Sequence, residues 1–214
     1  MKQIRGMWFP DGDTHFEAQL AINPLVDGRG TYQHKKYIAA LPYVKGRGHA
    51  LDIGGHVGLW SRIMAMDFDR VTAFEPLPEH IECFRANLAE KPNVRLNAVA
   101  VADKAGELSI RMPADNTGNS HIATAGEAIA ARTLDSFRLK GVDFIKIDVE
   151  GSEWEILSAL GEAFLSRAKY ITGELHGHRD FELLALLERH FHVAVRKRLQ
   201  DRVFMFQAMN RSRT

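Results

Sequence analysis

The sequence predicts an α/β protein built on an open, mostly parallel sheet with helices on both faces. Three observations carry this. Short apolar runs alternate with helix-length amphipathic stretches from residue 49 onward; a glycine-rich turn, "DIGGHVG", follows the first run; and two strand-like segments close the chain as a hairpin.

The elements follow in order. "TYQHKKYIAALPYV" (31–44) reads as a helix preceding the alternation. "HALDI" (49–53) is a short buried strand, and 57–67 puts Val57, Trp60, Ile63 and Met64 on one helical face. "RVTAFE" (70–75) is a second strand. Pro78 opens a helix whose inner side carries Ile81, Phe84 and Leu88. "VRLNAVAV" (94–101) reads as a third strand and "GELSIRM" (106–112) as a short extra one, whereas 113–126, rich in Gly, Asn, Ser and Thr, reads as a loop. "VDFIKIDV" (142–149) is the clearest central strand. A capping box of Ser152 and Glu155 starts the helix behind it. "KYITGEL" (169–175) is followed by a helix over 180–189 with Asp180 as N-cap, and "FHVAVRK" and "RVFMFQAM" form the closing hairpin.

A chain of 214 residues, 45% hydrophobic, is long enough for one domain with a substantial core. The formal charge of +1 argues against a surface dominated by nucleic-acid or membrane binding. Basic residues gather in 196–202 and 211–214, read as a solvated edge and a frayed tail. The single cysteine, Cys83, excludes an intrachain disulfide and reads as a half-buried helical thiol. With no apolar signal core and no apolar run long enough to span a bilayer, a cytoplasmic protein is expected.

In such a sheet ligands sit beyond the carboxyl ends of the strands, near the reversal of strand order. That gathers Asp52 to Gly58, Glu75, Ala100, Val101, Asp148 to Gly151 and Glu174 to His178 around one cleft. The glycine turn matches neither G-x-G-x-x-G nor G-x-x-x-x-G-K-[ST], so neither a dinucleotide nor a triphosphate is indicated. Glu75 at a strand end suits both hydroxyls of an adenosine ribose, and Asp52 suits a ligand amine. Adenosine joined to an amino acid describes S-adenosylmethionine.

Over residues 49–177 the chain resembles the FkbM-like family of class I S-adenosylmethionine-dependent methyltransferases. "LDIGGHVGLWS" is similar to the family's D-x-G-A-x-x-G cofactor loop, with Gly55 where Ala is usual. "AFEPLPE" resembles its ribose-binding strand end, "NAVAVADKAGEL" its third-strand segment, and "RTLDSF" with "VDFIKIDVEGSEWEIL" its most characteristic signature. The resemblance implies a Rossmann-like, seven-stranded sheet whose last strand is antiparallel. It implies Asp52, Gly54, Gly55 and Gly58 at the methionine end, Glu75 and Pro76 at the ribose, Ala100 and Val101 beside adenine, and Asp148 near the methyl group. The expected division is an N-terminal segment covering the site (1–46), a methyltransferase domain (47–209) and a tail (210–214). The family acts mainly on hydroxyl oxygens of sugars and secondary metabolites, so the expected partner is a small hydroxylated acceptor.

A hydroxyl acceptor should lose its proton on transfer, and the candidates for that base are Asp148, Glu150, Glu174 and His176; the unperturbed pKa of His176 lies nearest neutrality. Asp148, Glu174 and His176, on adjacent strand tips, also form a candidate set of ligands for a divalent cation. "WFPDGDTHF" (8–16) reads as a cover presenting Trp8, Asp11, Asp13 or His15, or as a segment packed on the sheet edge. Gln33 and the loop residues Asn116, Asn119, Ser120 and His121 are further candidate contacts. The expected activity is oxygen methylation. RNA or protein methylation and non-catalytic nucleotide binding rank behind it, and a dehydrogenase ranks last.

Overall fold

The computed structural model describes residues 1–22, 32–176, 179–196 and 204–213. Strands β1 (Lys2–Ile4) and β2 (Met7–Phe9) form an antiparallel hairpin, followed by α1 (His15–Ile22) and α2 (His34–Ala40). The alternation then begins with β3 (His49–Ile53), α3 (Leu59–Met64), β4 (Arg70–Phe74), α4 (Pro78–Asn87) and β5 (Val94–Asn97). An insertion carries β6 (Ala100–Val101), β7 (Gly106–Arg111), β8 (His121–Ile122) and β9 (Glu127–Arg132). The chain continues through β10 (Phe144–Ile147), α5 (Glu153–Ala159), α6 (Glu162–Leu165), β11 (Tyr170–Leu175), α7 (Asp180–Glu188), β12 (Phe191–Arg196) and β13 (Phe204–Asn210).

The central sheet has seven strands in the order β12-β13-β11-β10-β3-β4-β5. Pairs from β11 through β5 are parallel, and β13 runs antiparallel to both of its neighbours. The order reverses between β3 and β10, so their carboxyl ends open a crevice. Alternation along β10 sorts the core. Ile145 and Ile147 pack with Ile156, Leu157, Leu183 and Leu187 on one face. Phe144 packs with Tyr37, Trp60, Met64 and Tyr170 on the other.

Several local expectations are corrected. The run 94–101 is not one strand. It breaks after Asn97, where the backbone N–H of Val99 turns back onto the Asn97 carbonyl (2.9 Å), and Ala100–Val101 joins β9 in a second sheet, order β6-β9-β7-β8. The stretch 113–126 contains a 3₁₀ turn (Thr117–Asn119) and the short β8, and β9 follows it unpredicted. Only Ile129 and Ala131 of β9 are buried, and three of its six residues are alanines with weak strand preference. No capping box forms at Ser152. Instead the buried Glu153 carboxylate accepts the N–H groups of Val149 (3.1 Å) and Gly151 (3.0 Å). Asp180 lies in the first turn of α7 rather than at its cap, which is Arg179. Cys83 is fully buried, not half-buried. The turn of the closing hairpin and His178 lie outside the described residues.

Candidate active site

The glycine turn joins β3 to α3. Gly54 adopts φ +80, and a side chain there would come within 1.9 Å of the Asp148 carbonyl oxygen, so β3 and β10 meet only because this residue has none. The N–H groups of Gly54 and Gly55 both donate to the Phe74 carbonyl (3.1 and 2.9 Å). That of His56 goes to Glu75 (2.8 Å) and that of Gly58 to the Gly55 carbonyl (2.8 Å). The turn therefore offers a smooth surface rather than a nest of free donors, which agrees with the missing phosphate motifs.

Above this turn lies a cleft of about 1110 Å³. Of the expected site residues, Gly54, Gly55, Glu75, Pro76, Ala100, Val101, Asp148, Glu174 and His176 line it. Asp52 and Gly58 do not. Asp52, expected at a ligand amine, is fully buried beneath the turn, because the register sets it directly opposite Lys146 on β10. Its carboxylate pairs with the Lys146 ammonium (3.3 Å) and accepts from Ser61 (2.7 Å); Lys146 in turn donates to the Gly54 carbonyl (2.5 Å). Burial would lower the Lys146 pKa, but Asp52 and Asp148 raise it, so the ammonium persists. Gly58 starts α3 with φ +92 and packs against Leu88 and Phe84.

Glu75 is buried at the end of β4. Its carboxylate accepts from the N–H groups of His56 (2.8 Å) and Leu77 (3.0 Å) and pairs with His80 Nδ1 (3.1 Å). Burial alone would raise its pKa; the His80 charge and these donors lower it, so Glu75 stays ionised. A carboxylate has about four acceptor positions and three are in use, which leaves capacity for about one further donor rather than the expected two.

Beyond the tips of β10 and β11 three carboxylates pair with one imidazole. His176 Nδ1 faces Glu153 (3.1 Å), and its Nε2 faces Glu174 (3.3 Å) and Glu150 (3.5 Å). Burial would lower the His176 pKa, but the hydrogen bonds to Glu153 and Glu174 raise it to about 11. His176 is thus an imidazolium at neutral pH and not the expected base. Asp148 is pushed up to about 6 by burial, against the pull of Lys146, and one of its oxygens is buried with no hydrogen-bond partner among the described residues. Glu150 is raised to about 7 by burial and the Asp148 charge; its φ of +54 is rare for a residue with a side chain. Glu174 is lowered, because hydrogen bonds from His176 and Lys36 outweigh its burial.

Asp148, Glu174 and His176 offer ligand atoms within 4.8 Å of one another. Both nitrogens of His176 are already committed to carboxylates, and an imidazolium has no lone pair for an ion. The hydrogen bonding around His176 therefore speaks for ion pairing rather than the expected cation site.

The sequence pattern missed Lys146, His80 and Lys36 as cleft residues, whereas His56 lines it as the span 52–58 implied. Lys146 was recoverable from its position two residues before Asp148 on the same strand; the others come together only through tertiary packing. Gln33 lines the cleft as expected, accepting from Trp60 Nε1 (3.1 Å) and donating to Glu174 (3.1 Å). Asn116, Asn119, Ser120 and His121 also line it. Of Trp8, Asp11, Asp13 and His15, only His15 does. The Trp8 backbone is held on α4 by Asn87, Asp11 pairs with the N-terminus, and Asp13 is fully buried. No helix among the described residues is long and apolar enough to cross a membrane.

The fold recurs in solved structures. A methyltransferase FkbM from Methylobacillus flagellatus superposes with a TM-score of 0.57 at 18% identity, over 76% of this chain and 43% of that one. A methyltransferase-like chain from Streptococcus mutans in complex with SAH superposes at 0.55 with 13% identity, over 83% of this chain and 96% of that one. In sequence, the AMB antimetabolite synthetase AmbE of Pseudomonas aeruginosa is 27% identical over 69% of this chain, which spans only 10% of that much longer protein. Residues 52–206 match the methyltransferase FkbM domain, so the chain, whose cleft opens where such a sheet binds its cofactor, belongs to the FkbM family of S-adenosylmethionine-dependent methyltransferases.

Proposed function

We propose that the chain transfers a methyl group from S-adenosylmethionine to a hydroxyl oxygen of a sugar or other small metabolite. The observation that carries this reading is the pair Asp148 and Glu150, two carboxylates held near neutrality beside each other at the tip of β10. A hydroxyl must shed a proton as it is methylated, and a base with a pKa near the working pH serves best. A cleft of about 1110 Å³ also exceeds the usual size of a single-ligand pocket, roughly 300–1000 Å³, leaving room for an acceptor beside the cofactor.

The residues present fit the cofactor. The side-chain-free Gly54 and Gly55 give it a close-approach surface. Glu75 has an acceptor position left for a ribose hydroxyl, and Pro76, Ala100 and Val101 provide apolar walls for adenine. The unpartnered oxygen of Asp148 suits a cationic neighbour. S-adenosylmethionine supplies an already activated methyl group, so the chain need only align the acceptor and take its proton. Glu150 is the base in this scheme. His176, as an imidazolium, keeps Glu150, Glu153 and Glu174 from repelling one another. Gln33 and Lys36 hold Glu174 from the α2 side.

Incubation with methyl-labelled S-adenosylmethionine and panels of glycosides, phenols, amines, peptides and RNA tests the reading. Label in a base-stable ether of a small hydroxylated compound is expected. Label in an amine, a peptide or RNA alone would overturn the assignment of a small hydroxylated acceptor.

A further inference from the structure

Asp13 is a fully buried carboxylate on a segment outside the matched residues 52–206. No cation among the described residues pairs with it. Three donors compensate its burial instead: the N–H of Phe16 (2.9 Å), the N–H of Thr117 (3.1 Å) and the hydroxyl of Thr117 (2.6 Å). Because the Thr117 hydroxyl gives its proton to Asp13, its oxygen can only accept from His56 Nε2 (2.8 Å). That fixes the His56 tautomer, and burial together with the neighbouring His80 keeps the ring neutral. The ring is stacked on Phe16 (centroids 4.8 Å apart) and meets His80 edge-on (4.2 Å). The backbone N–H of the same His56 grips one Glu75 oxygen, and His80 holds the other.

A chain of hydrogen bonds thus links the N-terminal segment to the carboxylate assigned to the ribose, with His56 donating toward both ends. One Asp13 oxygen serves its own helix start through Phe16, but the other is given wholly to Thr117, a residue of the cleft lining 104 positions along the chain. We infer that Asp13 is a positioning residue for the adenosine end of the cofactor site, acting through Thr117 and His56 to orient Glu75. The N-terminal segment is then part of that site and not only a cover. This rests on the reading of Glu75 as the ribose acceptor.

Calorimetry with S-adenosylhomocysteine tests it without turnover. Asp13→Asn and Thr117→Val are each expected to weaken binding about tenfold, the size of one hydrogen bond to a charged group. Thr117→Ser, which keeps the hydroxyl, should bind as wild type does. In the double variant Asp13→Asn/Glu75→Gln, the first change should add nothing to the second, because both act at the same carboxylate. Wild-type affinity in Asp13→Asn, or fully additive losses with Glu75→Gln, would overturn the inference. Should Asp13→Asn fail to fold, Thr117→Val decides: loss of affinity supports the inference and wild-type affinity overturns it. If Glu75→Gln itself binds as wild type does, the ribose reading falls instead.

Discussion

Around His176 charge, not intrinsic pKa, assigns the roles. A histidine with a pKa raised to about 11 contributes stability that is fully present below its ordinary value near 6.5 and lost only as pH climbs through about 11. Its ring should therefore show no titration between pH 6 and 9 by NMR. A sigmoidal shift in that range would return His176 to the pool of bases. Glu150 has the opposite sign. Its carboxyl, raised to about 7, holds its proton in the folded state where the unfolded chain has lost it. Stability accordingly falls as pH rises from the ordinary carboxylate range through about 7. Glu150→Gln should flatten that decline in thermal melts between pH 5 and 8, while methyl transfer to the identified acceptor drops by about 100-fold or more. An unchanged rate would remove Glu150 from the chemistry.

At the scale of elements, β10 matters most because it contributes to both cores and to the site. Phe144 meets the rings of Tyr37, Trp60, Phe68 and Tyr170 at 5.7–6.4 Å. Phe144→Ala should cost about 3–5 kcal/mol, read by urea denaturation, since it opens a cavity between α2, α3 and the sheet. The β3 turn is as demanding. Gly54→Ala meets both a left-handed backbone and the Asp148 carbonyl, and is expected to abolish S-adenosylhomocysteine binding and to lower the melting temperature. Near-normal binding in that variant would mean that the strand tips can part. Much of this scale was legible in advance: the strands at 49–53, 70–74, 144–147 and 170–175 follow apolar runs bounded by turn signals. The insertion was not, because β6, β8 and β9 are short or alanine-rich and gain their pairing from each other rather than from local preference.

Across the whole molecule, cofactor and ion dependence are the measurable quantities. A ligand that binds only the folded state stabilises it by about 2.7 kcal/mol at a hundredfold excess over Kd. S-adenosylmethionine should therefore raise the melting temperature, and NAD should leave it unchanged. Because both ring nitrogens of His176 are taken up by carboxylates, chelator is expected to leave turnover untouched; loss of turnover restored by a divalent ion would reinstate Asp148, Glu174 and His176 as ligands.

By itself the sequence determined the alternating strands, the closing hairpin, the glycine turn and the strand-tip residues that line the cleft, and its resemblance to the family added the antiparallel sense of the last strand. These depend on periodicity, turn residues and motif spacing, all of which act over a few neighbours along the chain. Only the tertiary structure decided what each charged group does. Asp52 was drawn from the cleft by its cross-strand partner Lys146, His176 turned from base to cation by three carboxylates from another loop and its own strand, and Asp13 linked to Glu75 across more than sixty intervening residues by way of Thr117 and His56. Ionisation and hydrogen-bond direction respond to whatever lies within a few ångströms in space, and a linear pattern does not carry that distance.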